Sequence, residues 1–513
     1  GVRHLRIVPG RRINIGPMAQ TSIYQNGSYL EGVPGWFRFS SMELGANAVI
    51  GLPPPMALKL TVGILDLKYN SEFKADMFIV EATDFYLEPL ARLVCSGTAS
   101  LAGKGHPVIK EAGAGHASAG GNGLTSKDKG GDAYGSLYEP IDPGSKGGGI
   151  SGGRGGGALK LTVPAIFQLD GYISADGATG TDNSGGGSGG SIYIRAGHFR
   201  GHGKVSATGG QGHGSAGGGS GGRIAVHTLS SSEYRGFLVA NGEKGTTTGD
   251  RGGPGSVFVE DRQGPYTWQS RLYIDGKSLK PAKPLVILER NPRHVSAGII
   301  NDNNGDLHFD HLLLQNEALL KIAEGSENIT SINLDLILGD GSGVLHMQSG
   351  QSFYIEYDEY SITRSSPPVS YDVDYGAKMY ASADLRLIGM HKPVLQLDGH
   401  LAGVMNLTLE EGRVVQIGEN ATNSRIKDGK HVILDNGTLA LSKLSLQANA
   451  KLNYQVGRFQ LDVSEVMMRY GSKISADFLS MSVSTLHLAG EATLDVSGRG
   501  GTGGTENQGY TLN

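Results

Sequence analysis

Apolar and polar residues alternate along much of this chain in short runs. Leu439 to Leu452, LALSKLSLQANAKL, reads apolar-x-apolar, a short corner, apolar-x-apolar, a second corner, then an alanine. Leu307 to Leu320 (LHFDHLLLQNEALL) and Phe37 to Ile50 (FRFSSMELGANAVI) read the same way. Period two over so few residues predicts strands with one buried face, and leaves no room for helices. Equivalent positions recur at Leu44, Leu67 and Leu87, and again at Leu446, Met468 and Leu488. Steps of about 20 to 23 residues match one turn of a parallel β-helix, in which each strand pairs with those one turn before and after.

A longer period lies over the short one. GVRHLRIVPGRRINIG from Gly1 aligns with GVMNLTLEEGRVVQIG from Gly403, 402 positions later. MELGANA from Met42 and LSLQANA from Leu444 keep that offset, and YNSEFKAD from Tyr69 meets YGSKISAD from Tyr470 after a one-residue gap. LVCSGTASLAGKG near Val94 corresponds to LDVSGRGGTGG near Val496. The expected fold class is therefore all-β: a parallel β-helix (solenoid) with an internal glycine-rich coil region, in a tandem repeat unit of about 400 residues. The expected division is β-helix coils over 1–102, a glycine-rich β-coil region over 103–265, and coils over 266–500. Within that plan 403–513 repeats 1–112, and 501–513 starts the next glycine-rich region. Both ends fall inside patterned segments and read as cuts through a longer protein with further copies.

Glycine, 82 of 513 residues, is well above its ordinary share, while 19 prolines and no strict Gly-X-Y period exclude collagen. The glycine-rich region has its own rhythm. ALKLTV from Ala158, SIYIRA from Ser191, RIAVHT from Arg223 and SVFVED from Ser256 are followed in step by YISADG from Tyr172, KVSATG from Lys204 and FLVANG from Phe237. A flexible tether would show no such pattern. Two strands per repeat are expected, with GGGSGG runs as ordered connections where missing Cβ atoms permit close backbone approach.

The remaining composition mainly excludes. Lys and Arg (45) nearly balance Asp and Glu (49), for a net charge of −4, so there is no electrostatic footprint for nucleic acid or an anionic membrane. No apolar run approaches the roughly 18 residues of a spanning helix, so no direct membrane insertion is expected. One cysteine, Cys95, excludes an intrachain disulfide and any CxxC metal site. Five N-x-[ST] sequons, at Asn26, Asn328, Asn406, Asn420 and Asn436, are candidate glycosylation sites and point to an extracellular or cell-surface location. Asn406 alternates with Leu407 and Leu409, which puts it on the outward face of a strand, and DNGT around Asn436 reads as an exposed turn.

The coil pattern resembles that of secreted β-helix adhesins and exoproteins. The block YGSLYEPIDPGSKGGGISGGRGGGALKLTV (Tyr134 to Val163) resembles glycine-rich modules of very large secreted or cell-surface proteins. That resemblance implies a large secreted glycine-rich β-helix repeat protein of adhesin or extracellular-filament type. It carries no catalytic residue, and the cysteine-rich modules that often accompany such regions are absent.

Candidate chemistry is sparse. Glu356, Asp358 and Glu359 in YIEYDEY, and Asp372 and Asp374 in YDVDYG, are the nearest approach to the acidic groove of a polysaccharide-active enzyme. They alternate with aromatics as a solvated strand face would, and no matching basic residues accompany them. His198, His202 and His213, and the pair His308 and His311, read as solvated rather than metal-ligating. NDNNGD (301–306) and GDGSG (339–343) lack the spaced acids of a Ca²⁺ loop and read as turns. No catalytic residue, cofactor or metal is expected. The sequence points to a structural repeat module of an extracellular filament, appendage or matrix whose partners are further copies of itself. An adhesin stalk that binds extracellular glycans or a surface is the alternative, and a polysaccharide-active enzyme a distant third.

Overall fold

In the computed structural model the described residues are chiefly 2–16, 35–52, 57–97, 111–123, 129–230, 232–245, 249–262, 268–277, 306–322, 331–340, 437–454 and 458–496, with shorter stretches between. Among them the regular structure is entirely strand. The chain divides into two compact units, the first comprising 1–329 with 334–343 and the second 330–333 with 344–513.

In the first unit, long strands pair in parallel in nearly sequential order. Trp36–Leu44 pairs with Ala57–Leu67, which pairs with Met77–Leu87. Ala158–Leu169 continues on Met77–Leu87, followed by Ser191–Gly201, Arg223–Thr228 and Ser256–Arg262. A second, seven-stranded sheet is built from short strands, from Arg12–Asn14 through Val49–Gly51, Glu72–Lys74, Arg92–Val94, Tyr172–Ser174 and Lys204–Ser206 to Phe237–Val239. Alternate residues of both sheets face one apolar core, so like meets like across each pairing. Phe85, Phe167, Phe199 and Tyr234 stack in sequence with centroid spacings of 5.0, 5.1 and 4.3 Å. Such offset stacking contributes beyond simple area burial.

The corner between a long and a short strand explains the recurring alanine. Asn47, Asn70 and Leu90 hold it with φ of 60°, 54° and 62°. Asparagine tolerates this left-handed conformation better than most residues. The next side chain, Ala48, Ser71 or Ala91, is fully buried against the turning backbone, where little more than a methyl group fits. Asn70 also donates its amide hydrogen to the Asn47 side-chain oxygen at 2.8 Å, tying one corner to the next.

The expectation of a parallel β-helix with an internal glycine-rich coil region is corrected by this arrangement. The strands make several parallel sheets, and among the described residues these do not close into a solenoid. Period-two alternation and 20-residue spacing encode which strands are neighbours; the connections decide whether sheets close. Here Ser256–Arg262 is followed by an antiparallel return, Trp268–Asp275, and Ser22–Gln25 with Ser28–Glu31 forms a separate antiparallel hairpin. Between Val94 and Ala158 no strand occurs among the described residues.

Glycine stacks in layers among the described residues of that interval and the glycine-rich segments that follow it. Gly121 donates its N–H to the Gly218 carbonyl at 2.8 Å, and Gly218 donates to Asp250 at 2.9 Å. Gly219 donates to Gly210, Gly210 to Gly187, and Gly187 to Ala178, at 2.9, 2.7 and 3.0 Å. Residues 185–190, GGGSGG, are all buried. A Cβ built on Gly113, Gly121, Gly131 or Gly157 would collide with a carbonyl oxygen of a neighbouring segment. Backbone hydrogen bonds thus replace apolar side chains as the means of ordering these tracts.

The second unit repeats the beginning of the first, strand for strand. Asn406–Leu409, Val414–Ile417, Thr438–Leu446, Lys451–Tyr454, Arg458–Met468, Lys473–Ser475, Phe478–Leu488 and Thr493–Asp495 stand where His4–Ile7, Arg12–Asn14, Trp36–Leu44, Val49–Gly51, Ala57–Leu67, Glu72–Lys74, Met77–Leu87 and Arg92–Val94 stand in the first. Pairing register recurs with them. His4↔Ser41 becomes Asn406↔Lys443, Trp36↔Lys59 becomes Thr438↔Gln460, and Ala57↔Met77 becomes Arg458↔Phe478. The hairpin recurs as Thr422–Lys427 with Lys430–Ile433, and the left-handed corners as Asn449, Gly471 and Glu491.

Candidate assembly surface

The two copies differ most at their edges. In the first, Met77–Leu87 lies between Ala57–Leu67 and Ala158–Leu169, and its inward residues Phe78, Val80, Ala82, Phe85 and Leu87 are buried. Its counterpart in the second, Phe478–Leu488, is the last strand of a five-stranded sheet. Leu486 and Leu488 are 43% and 49% exposed, where Phe85 and Leu87 are 0% exposed. The adjoining short strand behaves alike: Leu494 and Val496 are exposed, while their counterparts Leu93 and Cys95 are fully buried.

The opposite edge shows the reverse. Asn406–Leu409 and Val414–Ile417 are covered by Leu385–Leu387 and Val394–Leu397 in parallel pairing, and Leu407, Leu409, Val415 and Ile417 are buried. Arg12–Asn14, the counterpart of Val414–Ile417, ends the seven-stranded sheet with all three residues exposed.

Edge strands of soluble proteins usually carry charge, proline or a bulge that blocks further pairing. Phe478–Leu488, FLSMSVSTLHL, has no Asp, Glu, Lys, Arg or Pro, and its inward positions are all apolar.

The chemistry away from the edges is largely fixed in place. Arg223 is fully buried, and its guanidinium donates to the carbonyls of Tyr134 at 3.0 Å and Ala117 at 3.4 Å. His116 stacks on Tyr134 with centroids 4.5 Å apart and pairs through Nδ1 with the Gly189 carbonyl at 2.7 Å. Burial, with the positive Arg223 nearby, lowers the His116 pKa to about 3, so the ring is neutral at ordinary pH. This knot joins four segments of the glycine-rich region, around residues 116–117, 134, 189 and 223, through backbone carbonyls and a ring stack. Burial and the Asp76 charge hold the Cys95 thiol well above its usual pKa, the mark of an inert rather than a nucleophilic cysteine.

Asp176 accepts four hydrogen bonds, from Tyr172, Ser206 and the backbone and hydroxyl of Thr208, at 2.7 to 3.0 Å. Asp340, in GDGSG, accepts from both the backbone and hydroxyl of Ser342 and from the Asn316 N–H. Burial would raise its pKa, but these hydrogen bonds outweigh that and lower it. Both aspartates are thus engaged within the fold as turn and ladder acceptors.

Of the histidines singled out in the sequence, His198 meets the Ser230 hydroxyl at 3.0 Å. His202 lies 3.7 Å from Asp170, His213 accepts the Asn183 N–H at 3.2 Å, and His311 meets the Gln269 amide at 3.0 Å. Among the described residues no three His, Cys, Asp or Glu converge as metal ligands would. The side chains of His308, Glu356, Asp358 and Asp372, together with residues Glu359, Asp374 and 301–305, lie outside the described residues. So do Asn26, Asn328, Asn420 and Asn436. Asn406 is described: it is half-buried on its strand, between the fully exposed and core-facing classes, with Leu407 and Leu409 inward.

Leu486 and Leu488 carry the same sequence pattern as the buried Phe85 and Leu87. The Arg223 knot had no local signal, since its partners stand about a hundred residues away in sequence. No family model, curated protein or solved structure matches this chain.

Proposed function

We propose that the chain is a structural repeat module of an extracellular filament, surface appendage or matrix, and that copies assemble end to end by parallel strand addition. The observation that carries this reading is the strand-for-strand and register-for-register recurrence of residues 4–95 at 406–496. The work of such a module is mechanical continuity, and the reading assigns it no reaction and no cofactor. Backbone pairing supplies the affinity, and matched apolar ladders supply the register. The five sequons support an extracellular setting.

A second reading, an adhesin or glycan-binding module, is favoured by one feature of the first unit. A cleft of roughly 430 Å³ is lined by Tyr234, Tyr273, Arg235, Arg271, Asn241 and Gln315, a mix of flat rings and planar hydrogen-bonding groups suited to a sugar. Imaging the native material beside a glycan-binding panel separates the two. Filaments with units joined head to tail support the structural module; isolated particles that bind glycans support the adhesin and sink the first reading.

A further inference from the structure

We infer that the cleft of the first unit binds an acidic saccharide, a pyranose residue carrying a carboxylate, with Arg235 and Arg271 receiving the carboxylate beside the rings of Tyr234 and Tyr273. The inference deepens the glycan-binding reading of that cleft and rests on it. Its warrant is a change of face at the end of the glycine-rich region. Val257 and Val259 are buried in the first apolar core, and their antiparallel partners are Tyr273 and Arg271. Directly paired residues share a face of the sheet, so Tyr273 and Arg271 stand on the side of that core. Leu272 and Ile274, on the other side, pair in parallel with Leu312 and Leu314, and all four are buried. The apolar core thus crosses the sheet between Ser256–Arg262 and Trp268–Asp275, and the face it leaves carries Arg271, Tyr273 and Asp275.

Those three residues line the cleft, together with Leu238 to Asn241 from the last short strand and its turn. Its volume, roughly 430 Å³, falls within the range of small-molecule sites, roughly 300 to 1,000 Å³. The ring of Tyr234 stacks on Phe199 with centroids 4.3 Å apart, and its hydroxyl donates to the Gly203 carbonyl at 2.7 Å. It is therefore held in place before any ligand arrives. Tyr273 is half-buried and packs against the same core. Two fixed rings beside Leu238 and Val257 suit the C–H face of a sugar ring, which a bare anion lacks.

The charge of the ligand follows from which groups are already engaged. Asp275 accepts from the Lys277 N–H at 2.8 Å, the Asn316 amide at 2.9 Å and the Gln315 amide at 3.2 Å. Asp261, 2% exposed, is held by Nη2 of Arg271. Both carboxylates are thus satisfied within the fold. The guanidiniums are not: Nε of Arg271 has no hydrogen-bond partner, and the exposed Arg235 makes, among the described residues, only a 3.4 Å contact to the Tyr234 carbonyl. A surplus of guanidinium donors calls for an anionic acceptor, and the planar fork of arginine matches a carboxylate.

The test is isothermal titration calorimetry of the full chain with oligosaccharides of galacturonate, glucuronate and mannuronate, each beside its carboxyl-reduced, neutral counterpart. At least one acid is expected to bind roughly tenfold or more tightly than its neutral counterpart. Arg235→Gln, at an exposed position, is expected to abolish that preference. Arg271→Lys, which keeps a cation beside Asp261, is expected to weaken it. Lys104→Gln removes an exposed charge outside the cleft and should leave it unchanged. A preference that survives Arg235→Gln, or that falls equally with Lys104→Gln, overturns the inference. Neutral sugars bound as tightly as every acid also overturn it, yet leave the glycan-binding reading of the cleft standing. Absence of binding to any of the sugars sinks both, so the wrong ligand class is distinguishable from the wrong function.

Discussion

Leu87 and Leu488 close equivalent strands in the two copies, yet Leu87 is 0% exposed beneath Leu169 while Leu488 is 49% exposed. One residue type in one local pattern thus serves as core in one place and as surface in the other. Substitution separates the two roles. Leu87→Asp places an unpaired carboxylate in a narrow apolar core and is expected to cost about 4 kcal/mol or more, or to prevent folding. Leu488→Asp is expected to shift the thermal midpoint by less than about 2 °C. Differential scanning calorimetry of the two variants checks the difference.

The glycine layers make a prediction that a flexible linker would not. Gly121→Ala drives a methyl group into the Asp250 carbonyl, and Gly113→Ala drives one into that of Gly218. Each is expected to lower stability by about 3 kcal/mol. Gly16→Ala, where nothing lies within 4 Å, is the control and should be close to neutral. Urea unfolding of the three variants decides the matter, and three neutral results would mean that the tracts are tethers.

His116 sets a pH dependence. Its pKa is lowered to about 3 in the folded chain by burial and by Arg223, with Lys104 adding to the effect. Above pH 6.5 both folded and unfolded forms are neutral and no penalty exists. As the pH falls from 6.5 toward 3, the unfolded chain binds a proton that the folded chain refuses, so stability declines through that window. Between pH 6.5 and 5 the loss from this group is about 2 kcal/mol. His116→Asn keeps a donor for the Gly189 carbonyl and removes the titration. The variant is expected to be less stable overall, having lost the Tyr134 stack, but to show a shallower decline in urea midpoint between those pH values.

Asn406 tests the extracellular assignment. Its side chain alternates with the buried Leu407 and Leu409, and Asn406→Gln is expected to leave the unfolding midpoint within about 1 °C of the parent. Mass spectrometry of protein from a secreting host should show the glycan lost from that peptide alone. Five bare sequons in native material would remove the main support for secretion.

What was legible in the sequence was local. The strands of Thr438–Leu446 and Lys451–Tyr454, and the buried Ala450 after the left-handed Asn449, follow from LALSKLSLQANAKL because alternation and corner chemistry act over a few residues. The offset of 402 was equally visible, because equivalent strands keep equivalent inward residues. Closure into a β-helix was not legible and was wrongly expected. It depends on connections such as the antiparallel return at Trp268–Asp275, which no periodicity announces. The ordering of the glycine runs was expected, but which segments they pack against was not, because Gly121 and Gly218 touch through backbone atoms and backbone contacts leave no side-chain pattern to read.

The most direct measurement of the central claim is immuno-electron microscopy of the native material with an antibody raised against the hairpin Ser22–Glu31. If copies of the unit assemble end to end, filaments are expected to carry the label at one constant spacing along their length. Label confined to filament tips, or found only on separate particles attached to cells or glycans, would contradict assembly as the function of this chain.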